Sequence, residues 1–435
     1  MSARTTALSA LIALRRQNAW ADGALKEYTA RDRLDRRDAA LAARLLYGVV
    51  QNRMLLDFYL EQVVTCGLQQ LQPVVLDILR LGAYQLLFLD KIPVSAAVNE
   101  AVEQTKRYAN KRAAGLVNGA LRALVRRSSQ LAQPQTLSLR YSHPQALIDA
   151  LRPSFDAQQL EAFLAANNTP AKTCLQCNPL KATPALVEDA LMRAQIAYTP
   201  HPWLEGCYLV SGTGNLEQLE LFSAGAVYVQ DAAAKLAAIV SGAAPGMRVL
   251  DVCAAPGGKS FAAAMQMQNE GRILSCDLHA HKLALIEKNA ARLGITILQA
   301  AQHDATQFDP ALAEQFDLVI ADVPCSGLGV IRKKPDIRYK SLEAIERLPQ
   351  VQRAILDTVQ QYVRPGGVLL YSTCTVRKEE NEDVVKGFVA DNAQFCMEAF
   401  AVPDGLALDN AGWATLLPQL HEADGFFICK LRKLK

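Results

Sequence analysis

Two cysteines in this sequence each stand just past an apolar run. In "FDLVIADVPCSGLGV", residues 316–330, Cys325 follows Asp322-Val323-Pro324. In "LLYSTCTVRKEE", residues 369–380, Cys374 follows Ser372-Thr373 and precedes a burst of charge. A single cysteine in a strand-end turn is by default a small buried hydrophobe. Two that flank the same pocket are a different matter. A thiolate can add to an electron-poor ring carbon, splitting one hard step into two easier ones. Carbon 6 of a pyrimidine is such a carbon. Carbon 5 is a poor nucleophile until a thiolate adds at carbon 6 and turns the ring into an enamine. After methyl transfer the carbon-5 proton must leave and the thiol must be eliminated, which a second nearby group can assist. The attacking thiol must be ionised, so its pKa should be depressed. The residues alone leave open which of the two attacks.

A third motif, "VLDVCAAPGGKSFAAAM" at 249–265, is a buried strand, a Gly-rich turn and the start of a helix. Its turn is Cys253, Ala254, Ala255, Pro256, Gly257, Gly258 and Lys259. The glycines let backbone N–H groups approach a ligand at a helix N-terminus. A Walker phosphate loop would need glycine at Cys253, and the dinucleotide fingerprint G-x-G-x-x-G is absent. S-adenosylmethionine enzymes use a looser version of the same strand–turn–helix site. Asp277 in "ILSCDLH" is read as the end of the next strand, where a carboxylate can hold ribose hydroxyls. Asp304 in "AQHDAT" is read as the end of the third, within reach of an adenine amino group. Either could instead be a cap or turn aspartate. Recurring acids after a Gly-rich turn favour a nucleoside pocket, since ligands bind at the C-terminal ends of such strands.

These residues need elements to position them. From about residue 230 onward, strand patterns ("MRVLDVCA", "GRILSCD", "ITILQA", "FDLVIAD", "GVLLYSTC") alternate with helical ones. That rhythm predicts a doubly wound, mostly parallel sheet of Rossmann type. Residues 1–140 are expected to form an α-helical domain, with a polar, Pro-containing linker at 128–144. Residues 141–230 read as a small α+β module, and 231–435 as the catalytic α/β domain. Within the front domain, "KRYANKRAAGLVNGALRALVRR" at 106–127 holds seven basic residues and no acidic one. A solvated basic helix is the plain reading; phosphate contact with RNA or DNA is the sharper one.

Composition agrees. The net charge of +3 conceals a split: residues 1–130 carry 19 Lys and Arg against 11 Asp and Glu, and the rest carries 27 against 32. A basic front on a slightly acidic body points to a nucleic-acid-binding module fused to something else. No apolar run approaches the roughly 18 residues needed to span a bilayer. Arg15 and Arg16 interrupt the apolar start, so a soluble helix is expected there. Ten cysteines without framework spacing fit reduced thiols in a cytoplasm. Cys174 and Cys177 form a lone C-x-x-C lacking two further ligands, and an offset of three in a strand points them to opposite faces. His143, His201 and His303 show no ligand spacing. No metal is expected.

The order "CAAPGGK", "D-x-PCS", "STCT" resembles the RNA cytosine-5 methyltransferases that work through two cysteines. "QDAAAK" at 230–235 and "DGFFICKLRK" at 424–433 resemble further segments of that family. The front, ending in "GLVNGALRALVRR", is similar to the NusB-like RNA-binding domain. The resemblance implies Cys374 as nucleophile and Cys325 as release cysteine. It puts Cys253 to Lys259, Asp277, Asp304 and Asp322 at the S-adenosylmethionine site, with Asp322 also near the cytosine edge. It implies small-subunit ribosomal RNA as partner, with cytosine 967 of 16S rRNA as the expected target, and a cytoplasmic monomer. Val323 departs from the family's usual alanine or proline in bulk only. Alternatives are a transfer-RNA or other rRNA cytosine, or a non-catalytic RNA-binding assembly factor. A DNA enzyme would attack through the Pro-Cys thiol and leave Cys374 idle. "GVIRKKPDIRYK" at 329–340 follows Cys325 directly. Its Arg332, Lys333, Lys334, Arg338 and Tyr339 are expected to contact a flipped base and its phosphates.

Overall fold

Apolar residues at three- and four-residue spacing fold the front of the chain into helices. The computed structural model describes residues 1–17, 19–211, 216–408 and 411–435. It divides into one unit of Met1–Asp149 with Lys333–Tyr339, and another of Ala150–Arg332 with Lys340–Lys435.

In the first unit the main helices are Ala3–Gln17, Ala21–Arg31, Arg36–Gln51, Arg53–Glu61, Pro73–Phe88, Val94–Tyr108 and Lys111–Arg126. Three are capped by side chains: Ser2 accepts from the Thr5 N–H, Asp35 from the Asp38 N–H and Asn110 from the Ala113 N–H. Leu8, Leu45, Leu46, Leu56, Leu60, Ile78, Leu79, Val117, Leu121 and Leu124 form the shared core. The basic helix thus buries one stripe and leaves Lys111, Arg112, Arg122 and Arg126 exposed. The segment expected as a linker is partly packed. Thr136 caps a short helix, Leu137–Tyr141, and Ser138, Ser142 and His143 are buried. Burial lowers the His143 pKa well below its usual value.

The second unit holds two sheets. Strands β1 (Thr173–Cys177), β2 (Ala197–Pro200), β3 (Cys207–Ser211) and β4 (Val227–Val229) pair antiparallel in the order β2-β3-β1-β4. Along β1, Cys174 joins one core and Leu175 and Cys177 another. The larger sheet contains β5 (Arg248–Asp251), β6 (Arg272–Asp277), β7 (Leu298–Gln302), β8 (Phe316–Asp322), β9 (Val363–Thr373), β10 (Phe395–Met397), β11 (Trp413–Leu416) and β12 (Phe426–Lys433). Its order is β10-β12-β9-β8-β5-β6-β7, with β11 on β12. β5 to β9 run parallel, and β12 is antiparallel to β9. Val249, Leu318 and Leu370 face one core; Leu250, Val319 and Leu369 face the other. A sheet buried on both faces reads as continuous apolar runs, as these strands do. Chain order reverses at β5, flanked by β6 and β8. Ligand crevices form at such a switch point, beyond the C-terminal strand ends.

Candidate active site

Asp322 ends β8 directly opposite Ser372 on β9. Ser372 Oγ donates to Asp322 Oδ1 at 2.8 Å, and the Val323 N–H donates to the Ser372 carbonyl. Both chains leave the sheet here. Their thiols then meet, with Cys325 Sγ 3.2 Å from Cys374 Sγ. Both keep partial solvent exposure.

Several contacts fix the two turns. The Gly329 N–H donates to the Cys374 carbonyl at 3.0 Å. The Ser326 and Thr375 hydroxyls share a 2.7 Å hydrogen bond. The Gly425 N–H donates to the Gly329 carbonyl at 2.9 Å. A Cβ on Gly329 would stand 1.9 Å from the Gly425 oxygen, so the crossing requires glycine.

The surroundings make the thiols unequal. A hydrogen bond from Cys325 lowers the Cys374 pKa, with the Lys259 ammonium adding to the effect against burial, Asp322 and Asp424. Cys325 is pushed well up by that hydrogen bond, by burial, by Cys374 and by the Glu380 carboxylate. The two thiols are thus shifted in opposite directions, Cys374 down and Cys325 up. Lys259 is nearly buried, its Nζ 2.6 Å from Asp322 Oδ2 and 4.8 Å from the Phe426 ring centre.

The Gly-rich turn follows β5. Gly257, at φ +106°, precedes the helix Gly258–Gln266, and a Cβ there would lie 2.2 Å from the Phe261 ring. No side chain caps this helix, so its first N–H groups are available to an anionic ligand group. The Gly257 N–H donates to the Ala254 carbonyl, and the Ala254 N–H to the Cys276 carbonyl. Burial raises the Cys253 pKa. Asp277, at the end of β6, accepts from the His279 N–H at 3.0 Å and pairs with Lys282 at 3.4 Å. β7 stops at Gln302, two residues short of the expected strand-end Asp304. Asp304 accepts from the Thr306 hydroxyl and N–H, which hold its pKa low.

Asp251, the last residue of β5, is absent from the sequence-based site. It is 1% exposed, accepts from Ser260 Oγ at 2.7 Å, and its Oδ1 is buried without a hydrogen-bond partner. Burial pushes its pKa up to about 7. The acid directly before the turn, in "VLDVC", was the available signal. Uncapped helix donors and an orphaned carboxylate oxygen at one turn fit an amino-acid head group, which has both a carboxylate and an ammonium. The "QDAAAK" and "DGFFICKLRK" segments also meet: Asp231 caps the helix Ala232–Ser241 and accepts from the Asp424 N–H at 3.0 Å.

The basic loop departs from expectation. Residues Lys333–Tyr339 belong to the helical unit. Arg338 is 1% exposed and donates to the carbonyls of Gln51 (2.7 Å), Ser142 (3.0 Å) and Pro335 (3.1 Å). Tyr339 donates to the Val50 carbonyl and stacks under Arg53 at 3.6 Å. Their polar atoms are used inside the protein, so neither serves as a substrate contact. Among the described residues, no cluster of three or more His, Cys, Asp or Glu could hold a metal ion. No helix among them is long and apolar enough to cross a membrane.

Comparison with known proteins adds names to this geometry. The family described as "16S rRNA methyltransferase RsmB/F" matches residues 239–432. The NusB family matches 1–126, and the ferredoxin-like domain of RsmF/B-like methyltransferases matches 143–216. A relative from Bacillus subtilis (strain 168), named probable ribosomal RNA small subunit methyltransferase B, is 35% identical over 99% of both chains. One from Vibrio cholerae, named ribosomal RNA small subunit methyltransferase B, is 34% identical over 91% of this chain and 90% of its own. The crystal structure of PH0851 superposes with a TM-score of 0.82 at 24% identity, covering 98% of each chain.

Proposed function

This chain belongs to the RsmB/F family of 16S rRNA methyltransferases, and from that premise we propose that it methylates carbon 5 of a cytosine through a covalent bond to Cys374. The observation that carries the reading is the thiol pair, 3.2 Å apart beside the Gly-rich turn. Cys374 is the sulfur on the Lys259 side, with the lowered pKa, and takes the nucleophile's part. Its thiolate adds to carbon 6, and the displaced π electrons make carbon 5 an enamine carbon. S-adenosylmethionine supplies an electrophilic methyl group when bound. The residues fit it: the first N–H groups of the Gly258–Gln266 helix for its carboxylate, Asp251 for its ammonium, and Asp277 for its ribose hydroxyls. Methylated carbon 5 then passes its proton to Cys325 Sγ, which acts as a thiolate in this step. The electron pair left on carbon 5 re-forms the ring double bond as the Cys374 thiolate leaves carbon 6. Cys325 is the neighbouring group we assign to this release. Asp322, tied to Lys259 and Ser372, borders the cytosine edge.

The exposed cations of the Lys111–Arg126 helix suit phosphate contact on the RNA. The proposed target is cytosine 967 of 16S rRNA. Bisulfite sequencing of ribosomal RNA from cells with and without the protein tests this. The expected result is a cytosine protected from conversion only when the protein is present. Unchanged 16S rRNA would contradict it, and a protected transfer-RNA cytosine would move the substrate.

A further inference from the structure

Behind the thiol pair lies a carboxylate that the reaction above does not use. Glu380 is 0% exposed and closes the short helix Lys378–Glu380, just past Cys374 in the chain. Its Oε2 accepts from the Ser326 N–H at 2.8 Å and from Gln352 Nε2 at 3.0 Å. The same Gln352 nitrogen donates to the Pro324 carbonyl at 3.0 Å. The backbone is therefore gripped on both sides of Cys325. Glu380 Oε1 accepts from Thr375 Oγ1 at 3.4 Å, next to Cys374. Ser326, Gln352 and Thr375 are all fully buried. The nearest cation, Arg377 Nη1, is 3.9 Å away.

We propose that Glu380 is a positioning residue that clamps the Cys325 turn against the Cys374 turn and places a negative charge behind Cys325. A buried carboxylate is costly unless its lone pairs are met by donors. Here those donors are the very groups that set the two sulfurs. A neutral residue could brace one turn, but the charge sits on one side of the pair. It faces Cys325 and raises that thiol, while Lys259 acts on Cys374 from the cofactor side. Asp322 and Asp424 are the other charged groups acting on Cys374. Glu380 thus helps decide which sulfur keeps the proton. Being fully buried, it acts through the cysteines and not on the substrate.

The inference rests on the two-thiol reading, and its test separates the two. Glu380→Gln keeps the shape and an acceptor for the Ser326 N–H and Gln352 Nε2, removes the charge, and turns an amide donor toward Thr375 Oγ1. Turnover should fall by about 100-fold, the scale of a mistuned proton-transfer group. The KM for RNA and the affinity for S-adenosylhomocysteine should stay near wild type. Iodoacetamide alkylation, mapped by mass spectrometry, should show Cys325 reacting at lower pH than in the wild type. Glu380→Asp keeps the charge and should retain the wild-type order of thiol reactivity, with turnover between the other two. Wild-type turnover and an unchanged alkylation profile in Glu380→Gln would overturn the proposal. If Glu380→Gln does not fold, Glu380→Asp decides, since wild-type turnover with the shortened side chain overturns the clamp. Cys374→Ser is measured alongside. If that variant still methylates RNA, the two-thiol reading falls; if it is inactive and Glu380→Gln is not impaired, only the clamp falls.

Discussion

Cys325 and Cys374 are 49 residues apart in sequence and 3.2 Å apart at their sulfurs. The cause is a register. Asp322 on β8 lies opposite Ser372 on β9, so two short turns leaving the sheet side by side bring the thiols together. Everything proposed about reactivity depends on the two sulfurs being unequal, and most of that inequality comes from each other and from groups on either side.

Lys259 is the cation on the Cys374 side. The Cys374 pKa lies below the usual thiol value, so its thiolate is present above that pKa and is lost as pH falls through it. Lys259→Met removes a cation that lowers Cys374 and leaves Asp322, which raises it, without its 2.6 Å partner. Both changes act in the same direction. The acid limb of single-turnover methylation should move to higher pH, and the rate at neutral pH should drop by at least about 10-fold. An acid limb at its wild-type position would show that Lys259 does not tune the thiol.

Gly329 and Gly425 cross with no room for a side chain. In Gly329→Ala the new methyl must displace backbone, which typically costs about 1–3 kcal/mol. Because the Gly329 N–H holds the Cys374 carbonyl, the shift should reach the thiol. Thermal unfolding should show the loss, and alkylation of Cys374 should slow or speed relative to wild type. A variant with wild-type melting and reactivity would mean that the crossing is looser than its geometry.

The two basic regions should behave differently. Lys111→Ala, Arg112→Ala and Arg122→Ala together remove exposed cations, so the salt dependence of RNA binding should flatten by about 0.7–0.9 in log–log slope per lost phosphate contact. Arg338→Ala leaves the Gln51 and Ser142 carbonyls without their donor, and should cost about 1–3 kcal/mol of stability while leaving the slope unchanged. Fluorescence titration over a salt series, with melting curves, checks both. A flatter slope in Arg338→Ala would restore the substrate-contact reading.

The legible parts of the sequence were those where pattern is local. Alternating strands and helices, the Gly-rich turn, and residues at strand ends are set by neighbours within a few positions. The thiol pair was legible because adjacent parallel strands place their ends together. Three features were not. The charged run "RKEE" leads into the helical turns Lys378–Glu380 and Glu382–Asp391, yet its Glu380 is fully buried. "GVIRKKPDIRYK" reads as a loop contacting a flipped base and its phosphates, yet Arg338 is buried among carbonyls. "YSHP" reads as linker, yet Ser142 and His143 are fully buried. Glu380, Arg338 and Ser142 are buried against partners far away in sequence (Ser326 and Gln352, the Gln51 carbonyl, and the Met54 N–H), while His143 bonds to the nearby Tyr141 carbonyl. Asp251 lies inside the strand of the Gly-rich motif itself, whereas the acids read from the sequence are those ending the strands that follow it.

The central claim is that Cys374 attacks and Cys325 releases. In Cys325→Ser the serine hydroxyl can still donate to the Cys374 sulfur, so attack survives while release fails. Incubated with 16S rRNA and S-adenosylmethionine, this variant should form an RNA adduct that survives denaturing electrophoresis. Mass spectrometry should place a 5-methylcytosine nucleotide on the peptide containing Cys374. Cys374→Ser should form no adduct. An adduct in Cys374→Ser carried by Cys325, with none in Cys325→Ser, would contradict the account.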